Sequence, residues 1–344
     1  MPAPSWLPAE LALLDARCPL PLDAPFTAAT ARVLDVGAKQ VRTLLVRGLL
    51  REVVRGAYVA TQVPDTIALR AGALRLVLAS GAVVTDRTAA WLHGVDVLPR
   101  AAVHAPVPID VFSADESRVR RPGVSSGIRH LVAADLTEVD GVPVTTAVRT
   151  TLDLGRLMRR YDAIGALDAF LRHGVPRAAL DAELPRFRGY RGIVQLRALL
   201  PIADPRAESV PESALRLHAL DAGLPELEPQ VWVGGFRVDL GSRELRYAAE
   251  YCGRAFHSGA TRAADQERTA ELTDAGWLVD EFWSDDLYAP YADPSRRMRT
   301  SMDRARRRLG QWRPEGHFLG PVSARSVGPK GVEVPGRPPG WGLE

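Results

Sequence analysis

The clearest alternation of apolar and polar residues in the chain predicts a small β-sheet around residue 240. Three short apolar runs are separated by glycine-containing turns: the runs are residues 230–233, 236–240 and 245–251, and the turns are Gly234-Gly235 and Gly241-Ser242-Arg243. Side chains alternate between the two faces of a strand, so Asp239 lies on the polar face of the second strand and Glu250 on that of the third. If the hairpin register brings these faces together, the two carboxylates are close neighbours.

Two adjacent carboxylates repel each other, and one of them takes up a proton unless a cation neutralises the pair. Mg²⁺ is the usual cation, because it prefers oxygen ligands and keeps several waters. A metal held by Asp239 and Glu250 would lower the pKa of a bound water and stabilise charge on a phosphate under attack. Glu212, in the first turn of a helix predicted over residues 212–222, could reach the same site. The alternative is that both acids are solvated positions on an open sheet face.

Near the N-terminus the pattern predicts a winged helix-turn-helix. Thr27 can cap a first helix, a turn at residues 35–37 follows, and a second helix covers residues 38–47 with Gly48 at its end. Two strands, residues 49–54 and 57–60, then flank a tight turn, which is the order of elements in a winged helix. A further short amphipathic helix is predicted over residues 8–17.

The second of these helices has one apolar face and one basic face. Val41, Leu44 and Leu45 recur at helical spacing and are expected to face the core. The predicted DNA contacts are the polar residues on the remaining surface and the arginine in the strand turn: Lys39, Gln40, Arg42, Thr43, Arg47 and Arg55. Basic side chains contact phosphates, while Gln and Arg can read base edges. The alternative is a winged helix that binds protein or is turned inward.

Residues 63–205 predict a middle domain of mixed α/β structure, with helices between short strands that include residues 109–112, 128–131 and 142–144. His93 and His173 each precede a helix-ending glycine, so both are expected to be structural. The region contains no P-loop, no dinucleotide fingerprint and no nucleophile–base pairing that sequence alone identifies.

Composition adds little to this picture. The net charge is only +3, and nearly all basic residues are arginine, so only local clusters indicate nucleic-acid binding. Residues 295–309 form one such cluster, with seven arginines and one aspartate on a predicted helix. This helix could lie along a phosphate backbone or be a solvated tail. No run reaches about 18 apolar residues, and Cys18 and Cys252 are far apart, which together predict a cytoplasmic protein without a membrane partner.

Three stretches resemble the AbiEi-type antitoxins, the antitoxin half of type IV toxin–antitoxin pairs: VRTLLVRGLLREVVRGAYV (41–59), VVTDRTAAWLHGV (83–95) and GVPVTTAVRTTLDLGR (141–156). The resemblance implies a winged-helix domain that binds double-stranded operator DNA and represses its own operon. It also implies a middle domain that opposes a nucleotidyltransferase-like toxin.

Residues 209–288 resemble the very-short-patch-repair-like branch of the PD-(D/E)XK nucleases. The likeness rests on PESALR (211–216), Val238-Asp239, AAEYCGRAFH (248–257), the spaced Asp265 and Arg268, and Gly276-Trp277. It implies metal-binding or catalytic roles for the acidic residues and for a nearby histidine, namely Glu212, Asp239, Glu250 and His257. Relatives carry Asp two residues after the strand Glu, where this chain has Cys252, and often His where it has Phe256. Cysteine is a poor partner for Mg²⁺, so metal affinity and nuclease activity should be weakened.

The sequence therefore predicts a multidomain α/β protein. The expected parts are a winged helix-turn-helix (1–62), a middle α/β domain (63–205), a PD-(D/E)XK-like domain (206–295), and a basic helix with a disordered Pro/Gly-rich tail (296–344). The first functional hypothesis is a DNA-binding transcriptional regulator, the antitoxin of a type IV system. The second is an active Mg²⁺-dependent endonuclease. The third is a protein-binding scaffold that no longer contacts nucleic acid.

Overall fold

The computed structural model describes residues 6, 11–98, 106–113, 124–127, 129–253, 268 and 270–310. Within these ranges the chain forms three sheets, of three, five and four strands, each with helices packed on it. The mixed α/β class predicted from the sequence is confirmed. No helix in the described ranges is both long enough and apolar enough to cross a membrane.

The first unit contains a helix–turn–helix followed by a hairpin. Its elements are β1 (Phe26–Thr27), α1 (Ala28–Val33), α2 (Ala38–Val46), β2 (Leu50–Val54) and β3 (Ala57–Ala60), and its sheet order is β1-β3-β2. Thr27 caps α1 as predicted, because its Oγ1 accepts a hydrogen bond from the Thr30 amide at 3.2 Å. Gly48 ends the second helix in the left-handed conformation, with φ of 70°. Leu44 is fully buried in the core beneath.

The helix predicted over residues 8–17 is wrong where the structure describes it, since residues 11–17 form turns and bends. The Asp15 carboxylate accepts a hydrogen bond from the Arg17 amide at 3.0 Å, and the Asp15 carbonyl accepts one from the Cys18 amide. Such local side-chain bonds compete with the helical ladder. Leu14 and Cys18 are nevertheless buried in the first core, so the apolar pattern reflected packing and not a helix.

The middle unit is a five-stranded sheet followed by a group of helices. It contains α3 (Ile67–Val77), β4 (Ala82–Val84), α4 (Asp86–Leu92), β5 (Ile109–Ser113), β6 (Val124–Gly127), β7 (Leu136–Val139), β8 (Val142–Thr145), α5 (Ala147–Leu157), α6 (Arg160–Arg172), α7 (Arg177–Glu183) and α8 (Ile193–Leu199). The strand order is β6-β5-β4-β8-β7. Leu152, Phe170 and Leu196 anchor the helical core.

One strand of this sheet lies earlier than predicted. Residues 128–131 were expected to be a strand, but β6 ends at Gly127 and pairs in parallel with β5, while residues 129–131 have no strand structure. The side chain of Arg129 instead enters an ion-pair network with Asp86 and Asp153. The segment that the local apolar pattern predicted to be a strand therefore contributes an ion-paired arginine and not a sheet strand.

The third unit begins with α9 (Val210–Asp221) and continues with the strands β9 (Glu228–Val233), β10 (Phe236–Ser242) and β11 (Tyr247–Tyr251). The crossover helix α10, whose described helical residues are 268 and 270–274, leads to β12 (Leu278–Phe282), α11 (Ser284–Tyr288) and α12 (Pro294–Arg308). β9, β10 and β11 form an antiparallel meander, and β12 pairs in parallel with β11.

Helix α12 is an integral part of this third unit. Its Met298, Met302 and Ala305 are buried in the same core as Tyr247 and Phe282 of the sheet. The sequence pattern had indicated a separate tail segment here, because the arginine content of the helix hides its narrow apolar stripe. The Pro/Gly-rich tail from Arg313 onward, predicted to be disordered, lies outside the described residues.

The middle and third units are joined through α6 and α9. Asp168 of α6 is fully buried and accepts a hydrogen bond from Arg216 of α9 at 2.9 Å. The two helices also meet at Gly165, where a Cβ atom would lie only 2.7 Å from a methyl carbon of Val210. A larger side chain at this position would force the helices apart.

Candidate functional site

The hairpin between β10 and β11 brings the two predicted acidic positions together. Leu240 faces Ala249 in the antiparallel register, and Asp239 and Glu250 are the next residues on the two strands. The strand ladder is interrupted at this point, because the Asp239 Oδ2 atom accepts the hydrogen bond of the Tyr251 amide at 2.8 Å. On the neighbouring strand Gln230 has a positive φ of 58°. The sheet is thus locally distorted where the carboxylates meet.

Helix α9 supplies a third carboxylate at the edge of this site. Glu212 is buried in the first turn of α9, whose N-terminus is capped by Ser209. The Glu212 Oε2 atom accepts hydrogen bonds from the Glu208 amide at 2.9 Å and from the Gln230 side-chain amide at 2.8 Å. These donors hold the carboxylate in place at the positive end of the helix dipole.

Arg268 of α10 places a positive charge among these acids. Its guanidinium donates a hydrogen bond to Glu250 and another to the Arg237 carbonyl oxygen at 2.9 Å. In the sequence this arginine is notable only as part of a family pattern. Its spacing from Glu250 gives no local signal, since eighteen residues separate the pair.

Burial makes both central carboxylates hard to ionise. It raises the pKa of Asp239 to about 7, with the Glu212 charge adding to the effect and the Arg268 charge opposing it. It also raises the pKa of Glu250 to about 7, although Arg268 opposes the rise. The acidic cluster formed by Asp239, Glu250 and Glu212 is therefore only partly neutralised by Arg268, the one arginine bonded to it among the described residues.

The donor set is incomplete for a metal ion. Cys252 occupies the position two residues after Glu250, and burial together with the neighbouring acids raises the pKa of its thiol to about 12. A neutral thiol is a poor ligand for a hard cation. In the part of the chain that the structure describes, no three His, Cys, Asp or Glu side chains converge closely enough to hold a metal. His257 lies outside the described residues. The described residues therefore do not fit a complete Mg²⁺ site.

The first unit presents most of its predicted DNA contacts to solvent. Lys39, Arg42 and Thr43 are exposed on α2, opposite the buried Val41. Arg55 is exposed at the turn between β2 and β3. This arrangement follows directly from the helical spacing of apolar and basic residues.

Three of the predicted contacts have structural partners within the first unit, among them Thr43, whose hydroxyl donates a hydrogen bond to the Lys39 carbonyl oxygen at 2.9 Å. The Gln40 side-chain oxygen accepts a hydrogen bond from the Gly37 amide at 2.7 Å, which caps the N-terminus of α2. Arg47 is half-buried and donates a hydrogen bond to the Leu11 carbonyl at 3.2 Å. These bonds leave Lys39, Arg42 and Arg55 as the basic groups of the set that face outward.

The middle unit contains a buried ion-pair network that sequence analysis missed. Its members are Asp86, Arg129, Asp135, Arg149, Asp153, Arg156 and Arg186. Asp153 is central: its Oδ2 atom accepts hydrogen bonds from Arg129 at 2.8 Å and from Arg149 at 2.9 Å. The i, i+4 and i, i+3 spacing of arginines around Asp153 on α5 was the available signal.

Beside this network a groove of about 520 Å³ is lined by Asp86, Asp110 and Asp162 together with Arg87 and Arg159. Burial and the charge of Asp86 raise the pKa of Asp110 to about 6. His93 of the same unit has the structural role that was expected, because its Nε2 atom is hydrogen-bonded to the Thr145 carbonyl at 2.7 Å.

Comparisons with known proteins identify the middle unit. The family model described as the AbiEi antitoxin C-terminal domain matches residues 81–202. Two proteins of Mycobacterium tuberculosis, named "Uncharacterized protein MT2308" (strain CDC 1551 / Oshkosh) and "Uncharacterized protein Rv2248" (strain ATCC 25618 / H37Rv), are each 35% identical over 284 residues. The match covers 80% of this chain and 98% of each relative. The chain therefore belongs to the same family as these two mycobacterial proteins and carries an AbiEi-type antitoxin domain.

Proposed function

We propose that this protein is the antitoxin of a type IV toxin–antitoxin pair, and that it regulates transcription by binding double-stranded DNA through its first unit. The antitoxin role is supported by the AbiEi match over residues 81–202. The DNA-binding role is supported by the order of elements in the first unit, which is that of a winged helix: β1, α1, α2 and then the β2–β3 hairpin.

The observation that carries the DNA-binding proposal is the two-sided character of α2. Val41 and Leu44 are buried in the first core, while Lys39 and Arg42 are exposed on the other side. A recognition helix needs such a free basic face to enter the major groove. Arg55, at the tip of the hairpin, would contact the backbone beside the groove. In this proposal Lys39 and Arg55 bind phosphates, and Arg42 is positioned for phosphate or base contacts.

The experiment is an electrophoretic mobility shift with the full chain and the DNA upstream of its own gene. Replacing Lys39 and Arg42 together by Ala should abolish the shift at moderate salt. Removing a single phosphate-binding charge should also reduce the slope of log affinity against log salt by about 0.9. Arg188 and Arg197 are exposed in the middle unit, so their double Ala variant is a charge-matched control. An unchanged shift for the α2 variant would refute the recognition-helix assignment.

The proposed partner of the middle unit is a nucleotidyltransferase-like toxin. The support is the AbiEi match, since that domain belongs to an antitoxin. A reading frame of the nucleotidyltransferase-like class beside this gene, toxic when expressed alone and tolerated with this chain, is the expected result. Toxicity that persists in the presence of the full chain would contradict the pairing.

A second candidate function is a Mg²⁺-dependent DNA endonuclease. It is favoured by one observation, the neighbouring positions of Asp239 and Glu250 on a meander flanked by α9 and α10. This order of elements is the one expected of a PD-(D/E)XK domain. Cys252 and the bond from Arg268 to Glu250 both disfavour metal binding, so we expect a nuclease-like fold without efficient cleavage.

Incubation of the full chain with supercoiled plasmid and Mg²⁺ separates the two functions. Intact plasmid supports the regulator. Nicking that is absent in an Asp239→Ala variant, purified in parallel, would establish the endonuclease instead. Nicking that survives this substitution would indicate a contaminating enzyme and would leave the acidic cluster without a catalytic role.

A further inference from the structure

Helix α12 carries an arginine surface that none of the functions above uses. At about 3.6 residues per turn, five arginines and one threonine fall within an arc of about 120° on this helix. These residues, here named the α12 arginine face, are Arg296, Arg297, Thr300, Arg304, Arg307 and Arg308. All six are exposed. The opposite side of the helix, with Met298, Met302 and Ala305, is buried against the third sheet.

We propose that the α12 arginine face binds the phosphate backbone of a nucleic-acid duplex, as a contact separate from the first unit. The face extends from Arg296 to Arg308, about 18 Å along the helix axis at 1.5 Å per residue. One strand of B-form DNA carries a phosphate about every 3.4 Å along its axis. Because that strand also winds round the axis, a straight row of guanidinium groups of this length can contact a few of its phosphates.

The acids near the α12 arginine face have other partners. A shallow groove of about 420 Å³ beside α12 is lined by Asp280, Asp293, Arg296, Arg297, Thr300, Ser301 and Arg304. Asp293 caps the helix by accepting from the Arg296 amide at 3.1 Å and from the Ser295 hydroxyl at 2.6 Å. Asp280 accepts the hydroxyl hydrogen bond of the buried Tyr247 at 2.9 Å, and its contact with Arg297 is long, at 3.8 Å.

Several guanidinium groups of the face consequently keep their charge available. No carboxylate in the described ranges lies within ion-pair distance of Arg296, Arg304 or Arg308. The groove adds the Ser301 hydroxyl to these arginines, while the Thr300 hydroxyl already donates to the Arg296 carbonyl oxygen at 3.0 Å. Guanidinium and hydroxyl donors together are the groups that proteins use to bind phosphate oxygens.

The apolar residues of α12 argue against a membrane surface as the ligand. An interfacial helix inserts an exposed apolar face between lipid headgroups. On α12 the side chains of Met298, Met302 and Ala305 are buried in the protein core, with Met298 fully buried and Met302 only 1% exposed. The exposed side offers charge without apolar anchors, which matches a phosphate backbone.

The test measures binding of the full chain to a 20-base-pair duplex of random sequence, as DNA and as RNA, by fluorescence anisotropy across a salt series. The test variant replaces Arg296, Arg304 and Arg308 by Gln. The charge-matched control replaces Arg188, Arg191 and Arg197, three exposed arginines of the middle unit, by Gln. We expect the affinity of the test variant to fall about tenfold or more at 100 mM salt, and its log–log salt slope to fall by about 2 to 3.

Further arms keep the proposal distinct from folding defects and from the first unit. Lysine at the same three positions should restore most of the affinity, because a phosphate contact needs mainly the charge. In a protein that already carries Lys39→Gln and Arg42→Gln, the three α12 substitutions should still lower the duplex affinity, whatever effect the two α2 substitutions have by themselves. If the Gln variant binds both duplexes like the control, the proposal is overturned. It is equally overturned if that variant is impaired only in binding to anionic lipid vesicles or to an acidic protein.

Discussion

The acidic cluster predicts that Asp239→Asn stabilises the third unit at alkaline pH. The Asp239 carboxyl has a pKa of about 7 in the folded protein, against 3.8 for an unperturbed group, chiefly because of burial. Each tenfold change in proton affinity is worth about 1.4 kcal/mol, so ionising this group in the folded state costs about 4 kcal/mol. Partial exposure to solvent reduces the effect, and we expect about 2 kcal/mol to be recoverable.

The sign follows from proton linkage. Between about pH 4 and pH 7 the folded protein binds more protons at this carboxyl than the unfolded chain does, so stability falls as the pH rises through this window. Asparagine carries no charge, and its Oδ1 atom can still accept the Tyr251 amide hydrogen bond. The free energy of unfolding of the variant should therefore exceed that of the native protein by about 2 kcal/mol at pH 8, and the two should be nearly equal at pH 4.

Hydrogen exchange followed by mass spectrometry is the suitable assay, because it reports the opening free energy of β10 and β11 separately from the other units. Rates at the two pH values are corrected for intrinsic exchange. Glu244→Gln is the matched control, since Glu244 is exposed in the turn between these strands. No gain in protection for the Asn variant at pH 8, or an equal gain in the control, would refute the account of burial and repulsion at Asp239.

Three further predictions concern stability. Arg216→Leu should lower the free energy of unfolding, measured in urea, by about 3 to 5 kcal/mol, because Asp168 is then buried without its partner. Adding Asp168→Leu to this variant should restore much of the lost stability. Gly192→Ala should lower the free energy of unfolding more than Gly189→Ala does. Both glycines have positive φ, which alone should make each substitution cost about 1 to 2 kcal/mol. A Cβ atom at Gly192 would in addition lie 1.8 Å from a backbone oxygen, whereas a Cβ atom at Gly189 would meet nothing within 4 Å. Asp110→Asn should raise the thermal unfolding midpoint at pH 8 more than at pH 4. The Asp110 pKa of about 6 in the folded protein means that the stability of the native protein falls as the pH rises between about 4 and 6. An equal rise of the midpoint at both pH values would contradict this reasoning.

Sequence analysis predicted those features that depend on neighbouring residues. Thr27 caps α1, Gly48 ends α2 with positive φ, and the Gly234-Gly235 turn joins β9 to β10. These are short-range consequences of backbone geometry, so a single sequence contains enough information to predict them.

Features that depend on distant polar partners could not be predicted in this way. Arg268 meets Glu250 only because the crossover helix returns over the sheet. Arg129 leaves its predicted strand to join Asp86 of α4 and Asp153 of α5, which are far apart in the sequence. The periodicity of the sequence does not indicate such contacts, because they are determined by tertiary packing.

The tight contact between α6 and α9 has a practical consequence for dividing this protein. A break near residue 205, where composition changes, would strip the partner from a fully buried aspartate and uncover the helix surface at Gly165. Fragments that end or begin there should be insoluble or aggregated. A shortened protein for crystallisation should instead keep residues 11–310 together, because Val53, Val54, Ala57 and Val59 of the β2–β3 hairpin also lie in one core with the middle sheet.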